Sequence, residues 1–107
     1  MIPRHVLLSA GIAFSILAKA TTAQEVGSVS RGLALAQEVC AQCHAVQKQQ
    51  GQSPDQDAPT FQDIASIPGM TAIALSVAIT SSHRTMPNVM LDPDERADII
   101  AYILALK

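Results

Sequence analysis

Aromatic residues are scarce in this 107-residue chain, which has no Trp, one Tyr and two Phe. A core built from side chains alone would be thin, so something other than side chains is expected to fill its middle. Basic residues are also few, with seven Lys and Arg against nine Asp and Glu, and this excludes the positive surface that a nucleic-acid backbone requires. The length allows one small domain and excludes a large multidomain enzyme.

The N-terminal apolar run is too short to favour a membrane span. It extends from Val6 to Ala18, whereas a helix that crosses a bilayer needs about 20 residues. Arg4 precedes the run, and Lys19 and then small residues as far as Ala23 follow it, which is the layout of a secretory signal. Cleavage after Ala23 is favoured, and Ala18 and Ala20 form a second possible site. We therefore predict a signal peptide at 1–23 that directs export to the periplasm, and a mature domain at 24–107 without a membrane span. A buried N-terminal helix and an uncleaved anchor remain as alternatives.

The predicted mature domain shows helical patterns and no strand pattern, so we expect an all-α fold with three main helices. The first helix is expected to start from an N-cap at Ser30 and to extend to Cys40. A polar, Gly- and Pro-containing stretch at 47–59 predicts a surface loop. A short helical turn is expected at Phe61–Ile64, and the second main helix from Met70 to about Ser81.

The last helix carries the strongest start signals in the sequence. Asp92 can cap it, Pro93 fits its first position, and Glu95 stands three residues after the cap. Apolar residues then recur at helical spacing. Between the second and third main helices, Pro87 predicts an irregular segment over 81–91.

The only two cysteines stand in the motif Cys40-Ala41-Gln42-Cys43-His44. This Cys-x-x-Cys-His pattern is typical of covalent haem attachment. On one helical turn, both sulfurs can reach the vinyl groups of one porphyrin edge, and His44 can then bind the iron from one side. We predict one haem c per chain, with thioethers to Cys40 and Cys43. A porphyrin also supplies the apolar bulk that the side chains lack.

Three other interpretations of the motif are less consistent with the sequence. A redox-active dithiol of the thioredoxin type normally follows a strand, and none is predicted here. A structural zinc site needs four ligands, and the mature domain offers only His83 besides the motif. A disulfide between the two cysteines would suit an oxidising compartment, but it would not explain why a histidine, His44, directly follows the second cysteine.

The second axial ligand of the iron separates an electron carrier from an open catalytic site. The candidates are Met86, Met90 and His83. We favour Met86, because Pro87 directly after it stiffens the irregular segment that would present the thioether. Met90 is more typical of an apolar side chain that fills space in the core just before the last helix. Both Met90 and His83 stay open as alternatives.

These features together resemble a small class I cytochrome c of the monohaem family. The resemblance rests on the Cys-x-x-Cys-His motif, the Met86-Pro87 pair and the final helix with its ending ADIIAYILALK, and it covers nearly the whole mature domain. It implies an all-α fold of three main helices around a covalent haem. It also implies thioethers at Cys40 and Cys43, His44 as the proximal ligand and Met86 as the distal ligand.

The resemblance has further implications and two limits. It implies that Pro59 lies against His44, with a neighbouring backbone carbonyl orienting the imidazole, and that Tyr102 packs between the terminal helices. The spacing from His44 to Met86 is short for the family, so one haem edge should be more exposed. The family's lysine-rich docking ring is missing, because the mature domain has few basic residues: Arg31, Lys48, Arg84, Arg96 and Lys107.

The function expected from these residues is electron transfer rather than catalysis. A closed His/Met coordination sphere suits a carrier, because nothing has to bind or leave when an electron moves. We expect the carrier to shuttle single electrons between exported redox proteins such as a dehydrogenase or a terminal oxidase. The alternative is a small haem subunit of an exported dehydrogenase complex. An enzyme in its own right is disfavoured, because only His83 offers a general acid or base.

Overall fold

The computed structural model describes residues 27–81 and 85–107. The predicted signal peptide at 1–23 and the candidate ligand His83 lie outside these residues. The described chain forms four α-helices and no strand, which confirms the predicted all-α fold. The helices are α1 (Val29–Leu35), α2 (Phe61–Ser66), α3 (Ala72–Thr80) and α4 (Pro93–Leu104). The three main helices of the prediction are α1, α3 and α4, while α2 is the short turn expected after the polar loop.

Helix α1 differs from the prediction at both ends. Its N-cap is Ser28 and not Ser30, because the Ser28 hydroxyl accepts a hydrogen bond from the Arg31 backbone N–H at 3.2 Å. At its other end the helix widens into a π-helical turn at Ala36–Cys40, where the N–H of Ala41 donates to the Ala36 carbonyl at 2.9 Å. Such turns are often found at functional sites, and this one leads directly into the cysteine motif.

The start of α4 confirms the sequence signals. The Asp92 carboxylate accepts from the Glu95 backbone N–H at 2.8 Å, and the Glu95 carboxylate accepts from the Asp92 N–H at 3.0 Å. This reciprocal capping box satisfies two N–H groups that the first helical turn would otherwise leave unpaired. Pro93 occupies the first position of the helix. The sequence therefore predicted the start of α4 correctly, down to its capping contacts.

Helices α1 and α4 cross so closely that only glycine fits at the contact. A Cβ atom added to Gly32 would stand 2.0 Å from the Asp98 carbonyl oxygen and 2.7 Å from the Tyr102 Cβ. The crossing is also polar, because the carboxylate of Asp98 accepts hydrogen bonds from Arg31 Nε at 2.8 Å and from the Ser28 backbone N–H. This crossing holds the first helix of the domain, α1, against its last helix, α4.

The apolar core lies between this crossing and the cysteine motif. Phe61, at the start of α2, stands in its middle, with ring centroids 6.4 Å from Tyr102 and 5.4 Å from His44. The core thus reaches the histidine of the motif. Its buried members are Ala36, Val46, Phe61, Ala65, Leu75, Ile99, Tyr102, Ile103 and Leu106. Among the described residues, no helix has both the length and the hydropathy that a membrane crossing requires.

Candidate haem site

The cysteine motif forms a single turn around one carbonyl group. The Cys40 carbonyl accepts from the backbone N–H of Cys43 at 3.2 Å and from that of His44 at 2.9 Å. Both cysteines are partly buried free thiols. The two cysteines and the histidine therefore lie on one turn, as the attachment of one haem requires.

The thiol of Cys40 is poorly suited to disulfide exchange. Burial raises the pKa of Cys40 to about 11, so the group is a protonated thiol at neutral pH. A catalytic cysteine needs a lowered pKa, because the thiolate is the nucleophile. Cys40 therefore lacks the lowered pKa that a redox-active thiol of this kind requires.

The imidazole of His44 is held by a backbone carbonyl. Its Nδ1 lies 2.7 Å from the carbonyl oxygen of Pro59. Because a carbonyl can only accept, Nδ1 carries the proton and Nε2 is the ring nitrogen available to a metal. The proximity of Pro59 and His44 that the family resemblance implies is present, and the orienting carbonyl is that of Pro59 itself.

The backbone beside His44 is held on both sides by the polar loop and α2. The carbonyl of Cys43 accepts from the Asp55 N–H at 3.1 Å, and the Ala45 N–H donates to the Ser53 hydroxyl at 2.9 Å. The carbonyl of Ala45 in turn accepts from the Phe61 N–H at 2.9 Å. Ser53 is buried although it lies in the polar loop. The sequence offers no signal for this role, because a serine is ordinary in such a loop.

The next residue, Val46, is held by the C-terminal helix. The hydroxyl of Tyr102 donates to the Val46 carbonyl at 2.5 Å, and both residues are buried. Burial raises the pKa of Tyr102 above its ordinary value. The expected packing of Tyr102 between the terminal helices is present, since its Cβ lies against Gly32. The hydrogen bond to Val46 was not predicted.

The two methionine candidates differ strongly in exposure. Met86 is half-buried, whereas the side chain of Met90 is 91% exposed. Both lie in the non-helical segment that precedes α4, which confirms the predicted irregular backbone for its described part, 85–91. Lower exposure is therefore the feature that distinguishes Met86 from Met90.

The residues of this site fit a covalently attached haem. Two free thiols stand on one turn, and the adjacent histidine is oriented through Nδ1 with Nε2 left for a metal. Thioether attachment and an imidazole held by a carbonyl are what a haem c protein needs from its chain. The chemistry of this donor set therefore agrees with the cofactor that the motif predicts.

Comparison with known protein families matches residues 29–107 to the family described as Cytochrome c. The match covers well over half of the chain, so the protein belongs to the cytochrome c family. Searches of curated proteins and of solved structures found no match. Membership implies covalent haem c and a function in haem-based electron transfer rather than catalysis.

Proposed function

We propose that the chain is an exported one-electron carrier with a single haem c attached through Cys40 and Cys43 and bound axially by His44 and Met86. When bound, the haem supplies an iron that changes between the ferric and ferrous states. The observation that carries the proposal is the 2.7 Å contact between His44 Nδ1 and the Pro59 carbonyl. It orients the imidazole and selects Nε2 as the ligating atom.

The same contact prepares His44 for repeated electron transfer. A histidine that donates its second N–H to a carbonyl is a more basic ligand and keeps one tautomer. The backbone on either side of His44 is held by the N–H of Asp55 and the hydroxyl of Ser53. The proximal side therefore needs little rearrangement when the charge of the iron changes.

Met86 is the better of the two methionines for the distal position. Met86 is half-buried, while Met90 is 91% exposed to solvent. Pro87 restricts the backbone immediately after Met86. A thioether ligand raises the reduction potential of haem iron, which suits a carrier near the oxidising end of an exported electron-transfer chain.

Absorption spectra of the holoprotein test the ligand assignment. We compare the wild type with Met86→Ala and with the matched variant Met90→Ala, in the oxidised and reduced states. Met86→Ala should lose the weak long-wavelength ferric band that reports methionine sulfur, and its reduction potential should fall. Met90→Ala should keep both properties of the wild type. A band that survives in Met86→Ala and disappears in Met90→Ala would reject the assignment.

The cellular place of the carrier is also part of the proposal. The segment 1–23 directs export to the periplasm, and cleavage after Ala23 leaves Gln24 as the first residue. Its redox partners there would be proteins such as a dehydrogenase or a terminal oxidase. Acidic residues outnumber basic ones in the carrier, so a partner with a basic docking surface is favoured. Mass spectrometry of the periplasmic protein tests this, since an intact N-terminus or a cytoplasmic holoprotein would contradict it.

A second function, the haem subunit of an exported dehydrogenase complex, is favoured by one observation. Ile73 and Val77 lie four positions apart on one face of α3 and are 78% and 59% exposed. A pair that is still exposed once the haem is bound would suit a lasting interface better than a transient one, because lasting interfaces are more apolar. Gel filtration of the protein at its native expression level separates the two functions. A monomer supports the free carrier, while a stoichiometric complex that Ile73→Asp disrupts supports the subunit.

A further inference from the structure

The hydroxyl of Tyr102 makes a contact that the proposed electron transfer does not explain. It donates to the Val46 carbonyl across 56 positions of the chain. A phenylalanine would fill the same space between the terminal helices, so apolar packing does not require the hydroxyl. The carbonyl that it binds belongs to a buried residue two positions after His44. A buried carbonyl is costly when it has no donor, so this bond restrains the backbone there.

A second connection runs through the aromatic rings. The Phe61 ring lies between His44 and Tyr102, with centroid distances of 5.4 Å and 6.4 Å and interplanar angles of 49° and 54°. The backbone N–H of Phe61 also binds the Ala45 carbonyl. Tyr102 is thus linked to the histidine segment by its hydroxyl and, through Phe61, by its ring.

We propose that Tyr102 is a positioning residue for the proximal ligand: by binding the Val46 carbonyl, its hydroxyl holds the backbone that leaves His44, and so keeps the imidazole in line with the Pro59 carbonyl. This inference rests on the proposed function, because it takes His44 as the iron ligand. It assigns to α4 a direct influence on the haem iron. The helix is therefore more than a packing partner of α1.

The direction of the effect on the haem follows from the His44 contact. A strong bond from Nδ1 to the Pro59 carbonyl makes the imidazole more electron-rich, which favours ferric iron. Loss of the Tyr102 hydroxyl loosens the backbone after His44 and weakens that bond. The reduction potential should then rise, and the Nδ1 proton of His44 should exchange faster with solvent.

The test compares Tyr102→Phe with Ile103→Val in the holoprotein. Ile103 is buried on the same helix, and the valine removes one methyl group without removing a hydrogen bond. We expect Tyr102→Phe to raise the reduction potential and to speed exchange of the His44 Nδ1 proton, followed by NMR, about five- to tenfold. Ile103→Val should change neither. Equal effects in the two variants, or no effect of Tyr102→Phe, would overturn the positioning role.

A second experiment alters the Tyr102 hydroxyl without removing it. Because Tyr102 is the only tyrosine in the sequence, growth on 3-fluorotyrosine replaces this one phenol by a more acidic and stronger donor. Exchange of the His44 proton should become slower and the potential should fall, opposite to Tyr102→Phe. An unchanged potential and exchange rate would overturn the inference.

The failure of this inference can be told apart from failure of the proposed function. A wild-type protein without the spectrum of a low-spin haem c bound by histidine would reject both. A normal wild-type spectrum with no response to either change at Tyr102 would reject only the positioning role.

Discussion

Arg31 Nε donates to the Asp98 carboxylate at 2.8 Å, which ties α1 to α4 across 67 positions of the chain. The two partners differ in burial, because the Arg31 side chain is 67% exposed and that of Asp98 only 8%. The hydrogen bond from Arg31 and a further one from the Ser28 N–H lower the pKa of Asp98. The carboxylate therefore holds the start of α1 on α4 in its charged form.

We expect Asp98→Asn to destabilise the protein at neutral pH and to have little effect in strong acid. A carboxyl whose pKa is lowered by folding contributes stability above its unfolded pKa, ordinarily about 3.9, and loses it as the pH falls through the folded value. The difference in unfolding free energy between wild type and variant should therefore shrink steadily below about pH 5. Denaturant unfolding curves of the holoprotein at a series of pH values measure it.

Asp57→Asn is the matched control for Asp98→Asn. Asp57 lies exposed in the polar loop, and its substitution removes the same charge. Its effect on the unfolding free energy should stay within about 0.5 kcal/mol. A similar pH dependence for the two variants would show that net charge, and not the contact with Arg31, is responsible.

Gly32→Ala should lower the unfolding free energy by about 1–3 kcal/mol. In an ordinary helix the same substitution is favourable by up to about 1 kcal/mol. Here the sign reverses, because the new methyl group would stand 2.0 Å from the Asp98 carbonyl oxygen and force α1 away from α4. Gly51→Ala is the control, since no atom lies within 4 Å of a Cβ at that position. A neutral Gly32→Ala variant would contradict the close crossing.

The phenol of Tyr102 should titrate at a higher pH in the folded protein than in denaturant. Burial raises its pKa from the ordinary value of 10.0, whereas the unfolded chain exposes it. A raised pKa means that the protonated phenol stabilises the fold at neutral pH, and that this contribution is lost as the pH rises through the folded value. The ultraviolet absorption of tyrosinate measures it directly, because the sequence has one tyrosine. Coincident folded and unfolded titrations would contradict the burial.

Removal of the haem should abolish cooperative thermal unfolding. The core has Phe61 and Tyr102 as its only large aromatic side chains among the described residues, so a porphyrin would supply much of its apolar contact. The double variant Cys40→Ala/Cys43→Ala cannot form the thioethers, so its haem can be extracted, and the extracted protein should melt gradually by circular dichroism. Gln42→Ala, which alters an exposed position of the same motif, should bind haem and melt in one transition. A haem-free chain that melts like the holoprotein would disprove this dependence.

The sequence predicted the parts of the fold that neighbouring residues encode. The cap of α4 was predicted from Asp92 and Glu95, which stand three positions apart and bind each other. The start of α1 was predicted less well, because Ser28 and Ser30 are both acceptable caps and the choice follows from the contact of Ser28 with Asp98. The π-helical turn at Ala36–Cys40 was missed, since the helix ends there and no later helical turn follows in which a shifted apolar pattern would show.

What the sequence alone determined is the chemistry: two thiols and an imidazole on one turn, Cys40 to His44, whose spacing is local and independent of the remaining fold. Only the tertiary structure decided how that chemistry is held. The family resemblance implied Pro59 beside His44, and the structure identifies the orienting carbonyl as that of Pro59, 15 positions away. Nothing in the sequence indicated that the Tyr102 hydroxyl meets the Val46 carbonyl across 56 positions. Backbone carbonyls occur at every residue and carry no sequence signature, so their partners are selected only when the helices pack.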